Sequence, residues 1–216
     1  MAKMMSIEER AHAAVSALKK EYPDALCSLS SCNPLELLIA TRLSAQCTDA
    51  RVNMVTPALF ARFPTVDDFA DADVGEVEKY IQSCGLYKTK AKDIVAMCRT
   101  LRERFGGRVP DTLEELCELQ GVGRKTANLI MGDIYGKPAV VTDTHLIRIT
   151  GRIGLTDSKD PYKVEKDLIP LLPPEESSAF CHRVVLHGRK VCTARTPRCA
   201  ECCLADICLK TGVKTA

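Results

Sequence analysis

The stretch Leu116–His145, LCELQGVGRKTANLIMGDIYGKPAVVTDTH, decides how this chain is read. It divides into a short helix, a turn in which Gly121 and Gly123 bracket Val122, a second helix from about Arg124, a loop, and an acid, Asp143. Glycine accepts backbone angles that other residues resist, and with no side chain in the way its peptide N–H can point outward. Those N–H groups, continued by the amides that open the next helix, make an anion site suited to a phosphate. The first turn of that helix carries Lys125. The positive end of the helix dipole and the neighbouring Arg124 both disfavour a protonated amine, whereas a bound phosphate favours it, so neither the size nor the sign of the net effect follows from sequence. A lysine that loses its proton near neutral pH is a nucleophile; one that keeps it, paired with Arg124, neutralises phosphates. Spacing alone leaves both readings open.

Three more stretches bear on the choice. LQGVGRKTA (119–127) is similar to the helix-hairpin-helix of the endonuclease III family of DNA glycosylases. LSAQCTD (43–49) resembles that family's LSAQxTD, GLYKTKA (85–91) its GLYxxKA, and four cysteines near the end its iron–sulfur motif. The matches keep one order and cover essentially the whole chain, which makes them far more specific together than a lone GxG.

The resemblance implies an all-α, two-lobed helix-hairpin-helix DNA glycosylase fold with a C-terminal iron–sulfur cluster loop. A six-helix domain is expected over 27–137, with the hairpin at about 112–136. The second helical lobe would combine 1–26 with 138–216 and carry the cluster loop at 192–208. The chain would cross twice between lobes, leaving a cleft with Lys125 and Asp143 on its opposite sides.

The implied activity is excision of oxidised or saturated pyrimidines from duplex DNA, followed by cleavage 3′ to the abasic site by β-elimination through a lysine Schiff base. Lys125 is then the nucleophile and Asp143 the second catalytic residue. Gln46 fills the gap left by the extruded nucleotide, and Leu86 wedges between base pairs. Gly121, Val122, Gly123, Arg124 and Thr126 of the hairpin, with His145, are the expected DNA contacts.

Each residue also has a plainer reading. Gln46 suits an interhelical loop, Leu86 a core, and Asp49 a helix cap. Asp143 suits an N-cap, which is compatible with catalysis because a carboxylate accepting backbone N–H bonds stays ionised. TDTH (142–145) departs from the family's VDTH at Thr142, which bears on packing more than on chemistry.

Two other functions are weighed against this one. A monofunctional mismatch glycosylase of the adenine type shares the hairpin and cluster but typically lacks the lysine and carries an extra C-terminal domain. A non-catalytic helix-hairpin-helix module that binds DNA structures has no need of Lys125 and Asp143.

Bulk properties constrain less. Of 216 residues 46% are hydrophobic, enough for a buried core, and 30 basic against 28 acidic side chains leave a formal charge of +2. Overall charge therefore does not mark a nucleic-acid binder, and any such case rests on local clustering. The opening MAKMMSIEER has no apolar core of signal-peptide length, and no run reaches membrane-spanning length, so a soluble intracellular protein is expected. With the resemblance this becomes a monomeric, cytoplasmic, nucleoid-associated protein of a bacterium or archaeon.

Of twelve cysteines, eight (27, 32, 47, 84, 98, 117, 181 and 203) are scattered through helical, apolar stretches and are expected as small buried hydrophobes. Cys192, Cys199, Cys202 and Cys208 are spaced C-x6-C-x2-C-x5-C, compact enough to wrap one metal centre. Four thiolates suit zinc or a [4Fe–4S] cluster equally; it is the resemblance that implies the cluster. Cys203 falls outside the pattern and is expected to be unligated. Between the first two ligands TARTPR places Arg195 and Arg198 on a loop held at both ends. The segment from Cys181 onward has Arg183, Arg189, Lys190, Arg195, Arg198, Lys210 and Lys214 against Glu201 and Asp206. A phosphate clamp at Arg195 and Arg198 is expected. His12, His182 and His187 are read as structural, the last two being five apart and so on different faces of one helix.

Local signals predict the helices. Ser6 with Glu9 forms a capping box before the stripe Ile7, Ala11, Ala14, Val15 and Leu18; Asn33-Pro34 opens a second helix; Thr48 caps a third, with Pro57 as a kink. Short acidic helices follow from Thr65, closed by Gly85 as a C-cap, and a long helix over 88–105 is stopped by Gly106-Gly107. Asp111 or Thr112 opens the hairpin motif. Asp160-Pro161 starts a helix to Leu172, and Pro173-Pro174 introduces the last long one.

Overall fold

Polar caps set the starts of most helices. The computed structural model describes residues 5–213, with eleven α-helices and no β-strand among them. The first is α1 (Ile7–Glu21), whose Ser6 and Glu9 exchange side-chain and backbone bonds as a capping box. Then come α2 (Pro34–Ser44), α3 (Asp49–Arg62), α4 (Val66–Ala70), α5 (Val74–Ile81) and α6 (Tyr87–Phe105), followed by α7 (Leu113–Cys117) and α8 (Arg124–Asp133). The rest are α9 (Thr144–Ile153), α10 (Pro161–Leu168) and α11 (Ser177–Lys190). Asn33, Thr48, Thr65, Asp73, Thr112, Asp143 and Asp160 each accept an N–H from the first turn of the helix they cap. Such a cap is worth about 1 kcal/mol.

The chain divides into two compact units, one of Cys27–Tyr135 and one that joins the stretch up to Leu26 with the stretch from Gly136 onward. The first holds α2 to α8, seven helical segments against the six expected, of which α4 and α7 have only five residues each. Its core forms around α6, whose Ala91, Ile94, Val95, Cys98 and Leu101 are buried against α4, α5 and α2. Phe63 and Phe69 add a ring contact at 5.1 Å. In the second unit α11 packs on α1 and α9, burying Leu18, Ile149, Phe180 and Val184. Gly188 makes that approach possible, since a Cβ there would lie 2.4 Å from His145 Nδ1 and 2.9 Å from an Arg148 Nη.

Several expectations are corrected. Pro57 does not break α3, which continues through it to Arg62. Gly85 is no left-handed cap: α5 ends at Ile81 and it is Leu86 that takes positive φ. The helix from Pro161 stops at Leu168, before Pro170, rather than at Leu172. Of the eight scattered cysteines only Cys84, Cys98 and Cys181 are buried; Cys27 and Cys47 are half-buried, and Cys32, Cys117 and Cys203 exposed. Helical pattern does not reveal which face a neighbour covers. Lys214 lies outside the described residues.

Candidate functional site

The hairpin between α7 and α8 treats its two glycines differently. Gly121 has φ +78°, and a Cβ there would lie 2.5 Å from Arg42 Nε, so glycine is needed on both counts. Beneath it Arg42 Nε donates to Asp93 Oδ2 at 3.0 Å, and Gln120 Nε2 donates to Asp93 Oδ1 at 3.3 Å. Both members of that ion pair are largely buried. Gly123, the N-cap of α8, is extended at φ −101°, ψ 173°, a conformation open to any residue, and a Cβ there would meet nothing within 4 Å. Its lack of a side chain serves no packing inside this unit, and no side chain caps the start of α8.

Lys125 is exposed on the first turn of α8 beside exposed Arg124, and Thr126 is half-buried. Val122, an expected DNA contact, is only 7% exposed and belongs to the core; its side chain anchors the turn and its N–H donates to the Leu119 carbonyl at 3.1 Å.

Gln46 and Leu86 share a trait that sequence did not reveal. Both are non-glycine residues with positive φ, 54° and 59°, and both are exposed, Leu86 at 57%. Left-handed backbone costs an ordinary L-residue about 1–2 kcal/mol, so the surroundings must hold it. They do so jointly: Gly85 lies so close that a Cβ would be 3.2 Å from the Gln46 carbonyl oxygen. Behind the two turns the fully buried Lys90 donates Nζ to the Leu43 carbonyl at 2.7 Å. Burial pushes the Lys90 pKa down, against an opposing pull from Cys47 and Cys84. Asp49, at the start of α3, accepts from Ser28 Oγ at 2.5 Å and so pins the chain entering this unit.

In the other unit an extended segment, Ala139–Val141, lies on α11: Ala139 N donates to Ser177 Oγ at 3.0 Å and Val141 N to Cys181 Sγ at 3.3 Å. It delivers Asp143, half-exposed, to the start of α9, where Oδ1 accepts from Leu146 N at 2.7 Å. Thr142 is buried and polar where the family has an apolar residue. His145, an expected DNA contact, is half-buried with Nδ1 3.1 Å from an Arg148 Nη. That same guanidinium nitrogen reaches the Cys192 carbonyl at 3.0 Å, tying α9 to the cysteine loop.

The four patterned cysteines suit a sulfur-ligated cluster. Donors reach three of the sulfurs: Arg152 Nη1 to Cys192 at 3.2 Å, the Lys210 N–H to Cys208 at 3.3 Å, and His187 Nε2 at 3.3 Å from Cys202. With Cys202 ligating as a thiolate, which can only accept, Nε2 carries the proton and Nδ1 accepts from the Tyr22 O–H, 3.1 Å away. Donors aimed at sulfur stabilise ligating thiolates. The thiols are near enough for Cys192 and Cys199 to raise the pKa of Cys208, behind the larger effect of its burial. Yet among the described residues no group of three or more Cys, His, Asp or Glu is gathered tightly enough to hold a metal ion.

Arg152 also donates to the Thr193 and Ala194 carbonyls, each at 2.8 Å, and so braces the loop carrying Arg195 and Arg198. Arg195 stands exposed. Arg198, the other half of the expected clamp, bonds the Lys190 carbonyl and pairs with Glu201 at 3.1 Å. Arg148, Arg152 and His187 had no signal in the sequence that tied them to the cysteines; contact across the fold is what recruits them.

The family described as HhH-GPD superfamily base excision DNA repair protein matches residues 39–174, and the iron-sulfur binding domain of endonuclease III matches residues 192–208. The chain is 48% identical to the endonuclease III of Synechocystis sp. over 207 residues, 95% of this chain and 94% of that protein. It belongs to the endonuclease III family. The endonuclease III of Escherichia coli K12 is 38% identical over 90% of this chain and 92% of its own. A solved structure titled as a trapped endonuclease III–DNA covalent intermediate, estranged-adenine complex, superimposes with a TM-score of 0.89 at 40% identity, covering 96% of this chain and 97% of that one. For a member of the endonuclease III family the cofactor is a [4Fe–4S] cluster, and Cys192, Cys199, Cys202 and Cys208 all lie inside the matched segment.

Proposed function

We propose that this member of the endonuclease III family removes oxidised or saturated pyrimidines from duplex DNA and then cleaves the strand at the abasic site. The observation that carries the reading is Lys125, exposed in the first turn of α8, a helix start that no side chain caps, in a chain 40% identical to one trapped covalently on DNA. An amine beside an anion-binding helix start is placed to meet deoxyribose once the flanking phosphate is seated.

Lys125 Nζ, unprotonated, attacks C1′ of the extruded nucleotide; the glycosidic bond breaks and its electron pair leaves with the base, which takes up a proton. The nitrogen gives up one proton, the C1′–O4′ bond breaks with O4′ taking up a proton, and a protonated imine joins Lys125 to C1′. The imine acidifies C2′; loss of that proton expels the 3′ phosphate by β-elimination, and water releases the lysine. Asp143, with Oδ1 occupied by the Leu146 N–H, offers its second carboxylate oxygen for proton movement and for the positive charge that develops on the sugar. Gln46 faces the orphaned base and Leu86 supports the opened stack. When bound, the [4Fe–4S] cluster links the four thiolates and so holds the loop of Arg195 in shape for a phosphate. The enzyme acts as a monomer on nucleoid DNA; among its described residues no helix is long and apolar enough to cross a membrane.

The test uses duplexes with one defined lesion each, scored separately for base release and strand scission. The expected result is scission by the wild type, a borohydride-trapped adduct, and loss of both in Lys125→Ala. An adduct that persists in the variant would identify another amine as the nucleophile, and base release without scission by the wild type would favour the monofunctional reading.

A further inference from the structure

Behind the Gln46 and Leu86 turns lie two thiols that the chemistry above does not use. Cys47 follows Gln46 and Cys84 precedes Gly85, the glycine packed against the Gln46 carbonyl. Cys47 N bonds the Ser44 carbonyl at 3.1 Å and Cys84 N the Ile81 carbonyl at 2.8 Å, so the backbone of each cysteine is held in the turn that follows its helix, α2 or α5. With Gly85 against the Gln46 carbonyl the two cysteines are neighbours, and Cys47 adds to the burial that raises the Cys84 pKa. Cys84 is fully buried and Cys47 half-buried, which gives the pair one reachable sulfur and one enclosed one. Two positive groups, Lys90 and Arg51, face Cys84 and favour a thiolate, although burial outweighs them and pushes its pKa up to about 11. Both thiols lie far along the chain from the four cluster ligands.

We propose that Cys47 and Cys84 form a redox-modification site, which a small-molecule disulfide of the glutathione type converts to an intramolecular disulfide stapling the Gln46 turn to the Leu86 turn. The thiolate of Cys47 attacks one sulfur of the small disulfide, forming a mixed disulfide and releasing one thiol. Cys84 then attacks the Cys47 sulfur and releases the second. Two protein thiols lose two electrons, the small disulfide gains them, and the two protons end on the released thiols. A disulfide closes the sulfurs to about 2.05 Å, well inside hydrogen-bond separation, so its formation draws the two turns together. If Gln46 and Leu86 enter the duplex, as the proposed function has it, that movement displaces both and weakens binding to lesion DNA.

The pair is convenient to read. Trypsin releases Cys47 in LSAQCTDAR (43–51) and Cys84 in YIQSCGLYK (80–88), each with a single cysteine. Cluster-loaded protein is incubated with glutathione disulfide while its visible absorbance confirms that the cluster stays intact, then alkylated and digested. The expected product is the two peptides joined, lighter by two hydrogens than their sum, reverting on added thiol and missing in Cys47→Ala and in Cys47→Ser. Recovery of the two peptides only unjoined, as free or separately glutathionylated thiols, would overturn the site. Affinity for a lesion duplex is expected to fall severalfold in the oxidised protein and return on reduction, with no such change in oxidised Cys47→Ala. Equal affinity of the oxidised and reduced wild type overturns the coupling to DNA. Because the cross-link is read by mass, it stands or falls separately from strand scission by the reduced enzyme, which tests the proposed function.

Discussion

Asp93 of α6 accepts the Nε–H of Arg42 from α2 at 3.0 Å, and the pair lies directly under Gly121, where a Cβ would stand 2.5 Å from Arg42 Nε and 3.2 Å from the Asp93 Cβ. The hairpin turn is thus seated on an ion pair assembled by two other helices. Gly121→Ala brings both a left-handed alanine and a clash with that pair, and should cost about 2–4 kcal/mol in urea unfolding. Gly123→Ala should leave stability within about 0.5 kcal/mol, because the site is open and its φ ordinary. On a lesion duplex the order reverses its meaning: Gly123→Ala weakens binding at unchanged stability. Equal destabilisation by the two substitutions would contradict the distinction.

Asp143 has two duties that substitutions separate. Asparagine caps helices about as well as aspartate, so Asp143→Asn should unfold like the wild type, while Asp143→Ala loses about 1 kcal/mol. Both should keep lesion-DNA binding and lose turnover, since neither retains an ionised carboxylate. Wild-type turnover in Asp143→Asn, measured in single-turnover base release, would confine the residue to its cap.

Glu176 makes stability depend on acid. Its carboxylate accepts from Lys19 and from Arg183, the latter at 2.5 Å, and those bonds, Lys19 first, lower its pKa from the ordinary 4.5. The folded chain therefore holds this charge to lower pH than the unfolded chain does. The resulting stability is complete above the unfolded value of 4.5 and is lost as pH falls through the depressed folded value. Glu176→Gln should be less stable than the wild type near neutrality, and the gap should close in acid. A gap that stays constant across that range would remove the ion pairs as its source.

Arg195 and Arg198 should part company. Charge removal at exposed Arg195 is expected to weaken DNA binding and to lower the salt slope by about 1 at unchanged thermal stability. Arg198→Ala instead frees the Lys190 carbonyl and Glu201, so its main effect should be on the cysteine loop, seen as faster loss of iron from the purified enzyme. An unaltered salt slope in Arg195→Ala would refute the clamp.

How far the chain could be read without coordinates follows the range of the forces involved. Caps were legible because a Ser, Thr, Asn or Asp side chain bonds an N–H three residues on; Ser6, Asn33, Thr48, Thr65, Thr112, Asp143 and Asp160 all cap where expected. The all-α fold, the cysteine pattern and the membership in the endonuclease III family were legible for the same reason: each lies in short ordered strings of residues. The two hairpin glycines look alike in the string QGVGR, and only Arg42, brought there by packing, makes Gly121 obligatory while Gly123 stays open. In the sequence Arg198 reads as half of a clamp, and only the structure shows its guanidinium against Glu201 and the Lys190 carbonyl. Burial of Lys90, the meeting of Cys47 with Cys84, and the donors that Arg152 and His187 aim at the cluster sulfurs were decided by tertiary structure alone. Each joins residues remote in sequence, whose proximity is set by the packing of whole helices and leaves no trace in the neighbours along the chain.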